Sequence, residues 1–277
     1  MPGTIDALTS ATLKHLREAW WDDAFTEFLA ETLAPRPGKR ILDVGCGEGL
    51  GEVAIGRLHI SQLRLFGVDV VPQKVIAARQ ETIAHNQRVG FAAADASRLP
   101  FKAAAFDSIY CVAVLQHIEQ ADNALAEFAR VTAPKGRVVA VEPDNTARYG
   151  FSSTPMGRRA FELSEQFFIA LAGQRSDRSA IGPNLPEMFA RHSIEPLSVR
   201  LFPVSQTLLG PPPPSLWQAR RAAIDGYLRG AKSDAAAWLG REYLDVLLGY
   251  EREANTAGSS FVEIQNTMLF ATVGQKM

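Results

Sequence analysis

Apolar positions along the first half of the chain fall into short blocks of strand length, each separated from the next by a stretch with helical spacing. Ile41, Leu42 and Val44 form the first block and stop at Gly45; Leu63 to Asp69, Val89 to Asp95, Phe106 to Val112 and Arg137 to Glu142 form four more. Between them, Leu50, Val53, Ala54 and Leu58, then Gln73 to Ala84, then Asp122 to Val131 carry apolar residues at helical intervals. β-Branched and leucine-rich blocks bounded by turn residues suit strands covered on both faces, so the alternation predicts βαβ units and a parallel sheet. Upstream, Leu13, Leu16, Trp20, Ala24 and Phe28 share a stripe that predicts an amphipathic helix over Ser10 to Leu29, broken by Pro35-Arg36-Pro37-Gly38. Downstream, the pattern predicts helices over Pro155 to Ala172 and Leu185 to Arg191 and a strand over Pro196 to Leu201. A stiff spacer at Pro211 to Pro214, two helices after Ser215 and Ser233, and a last strand over Phe261 to Val273 complete it.

The chemistry gathers where the first block ends. Gly45, Gly47 and Gly49 alternate between a strand and a helix, and without Cβ atoms such a turn lets a ligand lie against the backbone. A dinucleotide fingerprint counted from Gly45 needs a third glycine where Leu50 stands, and the frame that starts at Gly49 begins too late to be the first turn. An oxidoreductase reading is therefore disfavoured. Asp69 closes the second block, where a carboxylate can accept hydrogen bonds from both hydroxyls of a ribose or can cap the next helix. Of the neighbouring indoles Trp20 and Trp21, either packs on the sheet domain or roofs the ligand.

The run Ile41-Leu42-Asp43-Val44-Gly45-Cys46-Gly47-Glu48-Gly49 resembles motif I of the class I S-adenosylmethionine-dependent methyltransferases, with Asp43 and all three glycines in register. Asp95 followed by Leu99-Pro100-Phe101 resembles that family's adenine stretch. Phe106-Asp107 and Leu115-Gln116-His117 resemble the small-molecule subgroup called type 11. The likeness runs from about Lys39 to Glu142. It implies a Rossmann-like, doubly wound, mostly parallel α/β sheet of seven strands, the last antiparallel, with N-terminal helices and helical cap insertions. It also implies S-adenosyl-L-methionine as cofactor and S-adenosyl-L-homocysteine as product. Asp43, Gly45, Gly47, Gly49, Asp69, Val70, Asp95, Ala96 and Val112 are the cofactor-binding positions so implied. Asp95 would receive the adenine amine and the Ala96 amide a ring nitrogen. His117, leaving the fourth strand, is the candidate base, and Trp21, Gln116 and Glu142 are candidates for holding the acceptor.

Composition narrows the partners. A formal net charge of -1 gives no field to gather nucleic acid, and a small-molecule acceptor is expected. The chain lacks the Asp-Pro-Pro-Tyr tetrapeptide of base-methylating enzymes, the thiolate set of arsenic methylation and the paired-glutamate loop of protein arginine methylation. The two cysteines, Cys46 and Cys111, offer no metal spacing and suit a reduced compartment. With no apolar run of membrane-spanning length, a cytoplasmic protein without membrane contact is expected, and a homodimer is compatible with this. Residues 1–37 read as an N-terminal helical segment and 38–277 as the methyltransferase domain, with insertions near 146–183 and 210–258 forming a cap over the carboxyl ends of the strands. Arg158, Arg159, Arg175, Arg178, Arg220 and Arg221 offer guanidinium groups for an acceptor anion. A protein that binds the cofactor without transferring its methyl group remains the alternative.

Overall fold

The computed structural model describes residues 20–172 and 181–277. Its seven strands are β1 (Arg40–Val44), β2 (Arg64–Asp69), β3 (Val89–Ala93), β4 (Phe106–Val112), β5 (Thr132–Ser152), β6 (Ile194–Leu209) and β7 (Val262–Lys276), in the order β3-β2-β1-β4-β5-β7-β6. β2 and β4 flank β1 in parallel, and β3 and β5 continue the parallel set outward. β7 runs the other way: the Ser153 amide at the end of β5 donates to Val262, where β7 begins, while the Gln275 amide at its far end donates to Lys135. The expected architecture is therefore present.

Alternation along β1 explains the layers. Leu42 and Val44 point to one face and join a buried cluster with Ile109, Cys111, Val138 and Ala140. Helices α4 (Ala121–Val131) and α6 (Ile181–Arg191) cover that face with Leu125, Phe128, Leu185 and Phe189. Ile41 and Asp43 take the opposite face, toward α2 (Leu50–Gly56), while α3 (Pro72–Ala84) packs on β2 and β3.

Several boundaries moved, each for a local reason. Residues 1–19, and with them the first half of the expected Ser10-to-Leu29 helix, lie outside the described residues. Helix α1 begins at Asp23, because the Asp22 carboxylate accepts the Phe25 amide at 2.8 Å, and it continues to Leu33, where Ala34 turns left-handed. Its buried stripe is consequently Phe25, Phe28, Leu29 and Leu33, without Trp20 or Ala24. Asp95 lies past the end of β3, not within it. Asp122 sits in the first turn of α4 and does not cap it, its carboxylate being taken by Arg191 and His192. β5 begins earlier than Arg137, the pairing with β4 jumping from Phe106↔Thr132 to Ser108↔Arg137 around a bulge with Lys135 at φ 61°. Pro214 opens a helix instead of extending the proline spacer.

The chain divides into two compact units. Of the described residues, one takes in 20–144, 181–202 and Leu269–Met277, and the other takes in 145–172 and Pro203–Met268. The second unit contains helices α5 (Pro155–Ala172), α7 (Pro214–Arg229) and α8 (Asp234–Ala257) around Phe167, Trp217, Leu247, Tyr250 and Phe261. Within it the buried Glu263 carboxylate accepts from Arg220 at 2.9 and 2.5 Å, from Tyr250 at 2.5 Å and from Gln265 at 2.7 Å, and the Arg220 guanidinium lies over Trp217. Arg221 pairs with Glu251, Arg159 with Glu162 and Glu242, and Arg158 bonds the Ser152 carbonyl. Each of these four arginines is thus engaged within its own unit; Arg175 and Arg178 lie outside the described residues. No described helix is long and apolar enough to cross a membrane.

Removing Arg220 strands a buried carboxylate with only neutral donors. Arg220→Ala is expected to destabilise the protein by about 3 kcal/mol in chemical denaturation, at the lower end for a broken buried pair because Tyr250 and Gln265 remain. An unchanged denaturation midpoint would show that the ion pair does not stabilise this unit.

Candidate functional site

β1 hands the chain to α2 through residues that only glycine suits. Gly45, Gly47 and Gly49 have φ of 78°, 54° and 87°. The amides of Gly45 and Cys46 both donate to the Val68 carbonyl, at 2.7 and 2.9 Å, so the turn hangs from the end of β2. A Cβ on Gly45 would come within 2.3 Å of Val114 Cγ2, and one on Gly49 within 3.1 Å of the Ala78 backbone. At Gly47 it would meet nothing within 4 Å. The middle of the turn is thus a left-handed backbone facing open space, a cradle into which a ligand can settle.

Asp69 fixes that cradle. One carboxylate oxygen accepts the Gly47 amide at 3.0 Å and the other accepts the Val71 amide at 2.9 Å. Each oxygen retains a second lone pair for a sugar hydroxyl. Val71, not Asp69, holds the N-cap position of α3, and the Asp69 carboxylate organises the backbone around the turn instead. Val70 beside it is exposed. Past β3, Asp95 is exposed and one of its oxygens accepts the Ser97 amide at 2.8 Å, while Ala96 is buried.

The chain leaves β4 after Val112 through Ala113 at φ 55° and enters a short 3-10 turn, Leu115–His117. Glu142, in the middle of β5 and one residue past the Val141 that pairs with the end of β4, makes this possible. Its fully buried carboxylate accepts the amides of Val114 and Leu115 at 2.7 Å and that of Gln116 at 3.4 Å. Expected at the acceptor, Glu142 instead holds the backbone that presents Gln116 and His117. Burial raises its pKa to about 7 against the pull of those amides. His117 is exposed and Gln116 half-buried. Trp21 packs edge-on against Phe25 with centroids 5.2 Å apart, and its ring lies close over Gly51 in the first turn of α2. The structure thus brings the glycine turn, Asp69, Asp95 and the Gln116-His117 turn to the carboxyl ends of β1 to β4, where open α/β sheets bind ligands, with Glu142 beside them in the middle of β5.

Comparison with known proteins decides which ligand. Residues 42–140 match the family model described as a methyltransferase domain. Those residues are a methyltransferase domain. The chain is 31% identical over 150 residues to the O-methyltransferase cnsE of Penicillium expansum, covering 49% of this chain and 54% of that one. It is 36% identical over 113 residues to the demethylmenaquinone methyltransferase of Deinococcus radiodurans, covering 41% and 46%. The chain thus spans about half the length of such curated relatives. In fold it is similar to a solved protein of Bacillus halodurans C-125, with a TM-score of 0.59 at 14% identity over 91% of this chain and 99% of that one. The [4+2]-cyclase SpnF is also similar, with a TM-score of 0.53 at 19% identity over 92% and 81%. The methyl donor of the domain is S-adenosylmethionine, and the open, left-handed Gly47 with its carboxylate neighbour fits that group.

One residue of the methyltransferase domain, Glu52, escaped the sequence. Across β2, β1 and β4, Gly67, Asp43 and Tyr110 stand in one row of register partners, so their side-chain positions share a face. Glu52 of α2 reaches onto that row: a Cβ on Gly67 would lie 2.3 Å from its Oε1. Gly51 likewise leaves room for Tyr110 and Asp43, its Cβ falling 2.5 Å from the phenol oxygen and 2.8 Å from Asp43 Oδ2. Glu52 and Asp43 are buried, at 1% and 5% exposure. The helical spacing marks Glu52 as polar and so as solvent-facing; the only available signal was glycine at both 51 and 67, which needs the strand register to interpret.

Asp69→Ala should lose on the order of 2 kcal/mol or more of cofactor affinity by calorimetry, the scale of hydrogen bonds to a charged group, with Asp69→Glu losing less. Undiminished binding by a folded Asp69→Ala protein would remove the ribose assignment. Asp95→Ala should weaken S-adenosylmethionine while hardly changing affinity for an analogue without the adenine amine; equal losses would make Asp95 structural. Glu142 yields a prediction in pH. Its folded pKa lies above the unfolded carboxylate value, so its contribution is fully present below about 4.5 and lost as pH rises through about 7. Relative to Glu142→Gln, the native protein should therefore lose about 3 kcal/mol of stability between about pH 4 and pH 8. A difference independent of pH would show that Glu142 titrates normally.

Proposed function

We propose that the protein transfers the methyl group of S-adenosylmethionine to an oxygen, nitrogen or carbon of a small metabolite in the cytoplasm, without nucleic acid or membrane as substrate. The observation that carries this reading is the convergence of the Gly45-to-Gly49 turn, Asp69, Asp95 and the Glu142-held turn at adjacent strand ends of a methyltransferase domain. The cofactor supplies a methyl carbon made electrophilic by a sulfonium. What the chain must then do is align the nucleophile in line, exclude water, and take a proton where the acceptor carries one.

Named residues suit these tasks. Asp69 takes the ribose hydroxyls, Asp95 and Ala96 the adenine, Val70 and Val112 flank the adenosyl group, and the glycine backbone carries the methionine portion. His117, carried by the turn whose amides Glu142 binds, accepts the acceptor's proton in its neutral form. Gln116 and Trp21 contact the acceptor.

The rival, a cofactor-binding protein without transfer, draws on one specific observation: a similar fold occurs in a protein described as a cyclase. Incubating the protein with methyl-labelled cofactor and a metabolite panel separates the two. We expect label in a small-molecule product, with turnover falling about a hundredfold in His117→Ala while cofactor affinity holds. Cofactor binding without label transfer to any acceptor favours the rival, and unchanged turnover in His117→Ala removes the base.

A further inference from the structure

We infer that Glu52 and Asp43 form a proton-sharing acid pair behind the glycine turn that favours the cationic cofactor over its uncharged thioether product. The inference rests on the reading that the methionine end of the cofactor lies along Gly45 to Gly49.

Geometry puts the pair there. Asp43 is two residues before the turn on β1, and its register partner on β2 is Gly67, the residue whose missing Cβ admits the Glu52 carboxylate from α2. The turn itself joins β1 to α2, so both acids belong to the elements that carry it. Neither oxygen of Glu52 meets a hydrogen-bond partner outside its own residue among the described residues. A buried, unpaired carboxylate is costly when ionised, and the cost grows when a second carboxylate stands beside it. Burial acts first on Asp43; Asp69 from β2 opposes its ionisation further, and the Tyr110 hydroxyl from β4 stands near it without completing a hydrogen bond, while burial and then Glu52 and Asp43 raise the Cys46 thiol pKa in the turn. Asp43 in turn opposes ionisation of Glu52. Among the described residues, no lysine, arginine or histidine acts on either carboxylate. Burial drives both acids upward from the ordinary carboxylate range, so at neutral pH the pair retains a proton.

A positive charge brought to the turn changes that balance. It favours the fully ionised pair, and the carboxylic proton passes to the solvent buffer. By linkage, the affinity for a cation rises with pH across the range in which the pair would otherwise hold its proton. Cofactor and product share adenosine, ammonium and carboxylate; they differ in the methyl group and the sulfonium charge. The ammonium acts alike in both ligands, so the sulfonium should make the cofactor expel more of the proton than the product does. Glu52 is then a specificity-determining residue that helps methylated cofactor displace spent product.

Calorimetry in two buffers of different ionisation enthalpy counts the protons directly. At about pH 7, S-adenosylmethionine should release several tenths of a proton more than S-adenosylhomocysteine, and the preference for the former should grow about threefold to tenfold between about pH 6 and pH 8.5. Glu52→Gln should bring the two proton counts together, and Asp43→Asn provides a second variant with the same expectation. Equal counts for the two ligands in the native protein overturn the inference without any variant. A difference that survives both substitutions overturns it as well. If neither ligand binds the native protein, the cofactor reading fails instead, which is a distinct result.

Discussion

Two hydrogen bonds from the Gly45 and Cys46 amides to the Val68 carbonyl, joined by those from Gly47 and Val71 to the Asp69 carboxylate, tie the glycine turn to the end of β2. The ligand-binding edge depends on that tie. With the turn fixed, α2 starts where Gly49 leaves it, and Val114 closes against Gly45. Val114 in turn is held by Glu142. One chain of contacts therefore runs from β2 through the turn to β4 and β5, all made of backbone amides and two buried carboxylates, and it sets the carboxyl edge of the sheet before any ligand arrives.

Carboxylates do unequal work in this edge. Asp69 receives two amides and Glu142 receives three, which makes them organisers of backbone. Asp43 and Glu52 are buried, and neither Glu52 nor the Tyr110 hydroxyl near Asp43 has a hydrogen-bond partner among the described residues. Such a pair is unfavourable for folding, and proteins keep costs of that kind where a site needs them. Gly51 and Gly67 show that the sequence accommodates it deliberately, since a Cβ at either position would collide with Tyr110 or with Glu52.

The sheet was legible because its signals are local. Short apolar blocks with acidic or glycine ends gave β1, β2 and β4 nearly to the residue, and Gly45, Gly47 and Gly49 announced the turn through a conformation few other residues adopt. Elements whose ends are set by side chains distant in sequence were less legible. The start of α1 depends on Asp22 bonding Phe25, and Asp122 was drawn from a cap role by Arg191 and His192 some seventy residues away. Glu142 read as a strand-end acid available to an acceptor, because nothing in its own neighbourhood shows that the amides of 114–116 will consume it. Glu52 was invisible for the same reason: its surroundings come from β1 and β2, and the register that assembles them appears only in the folded sheet.

The most direct test of this account is a crystal structure with S-adenosylhomocysteine bound. The homocysteine portion should follow Gly45 to Gly49 with its closest backbone approach at Gly47, and both ribose hydroxyls should lie within hydrogen-bond distance of Asp69. The account is contradicted if the ligand sits elsewhere, for instance in the open depression of about 580 Å³ formed by Leu63, Arg64, Arg79, Gln87 and Arg88 where β2 and β3 begin, or if Asp69 keeps its two amide bonds and touches no sugar oxygen.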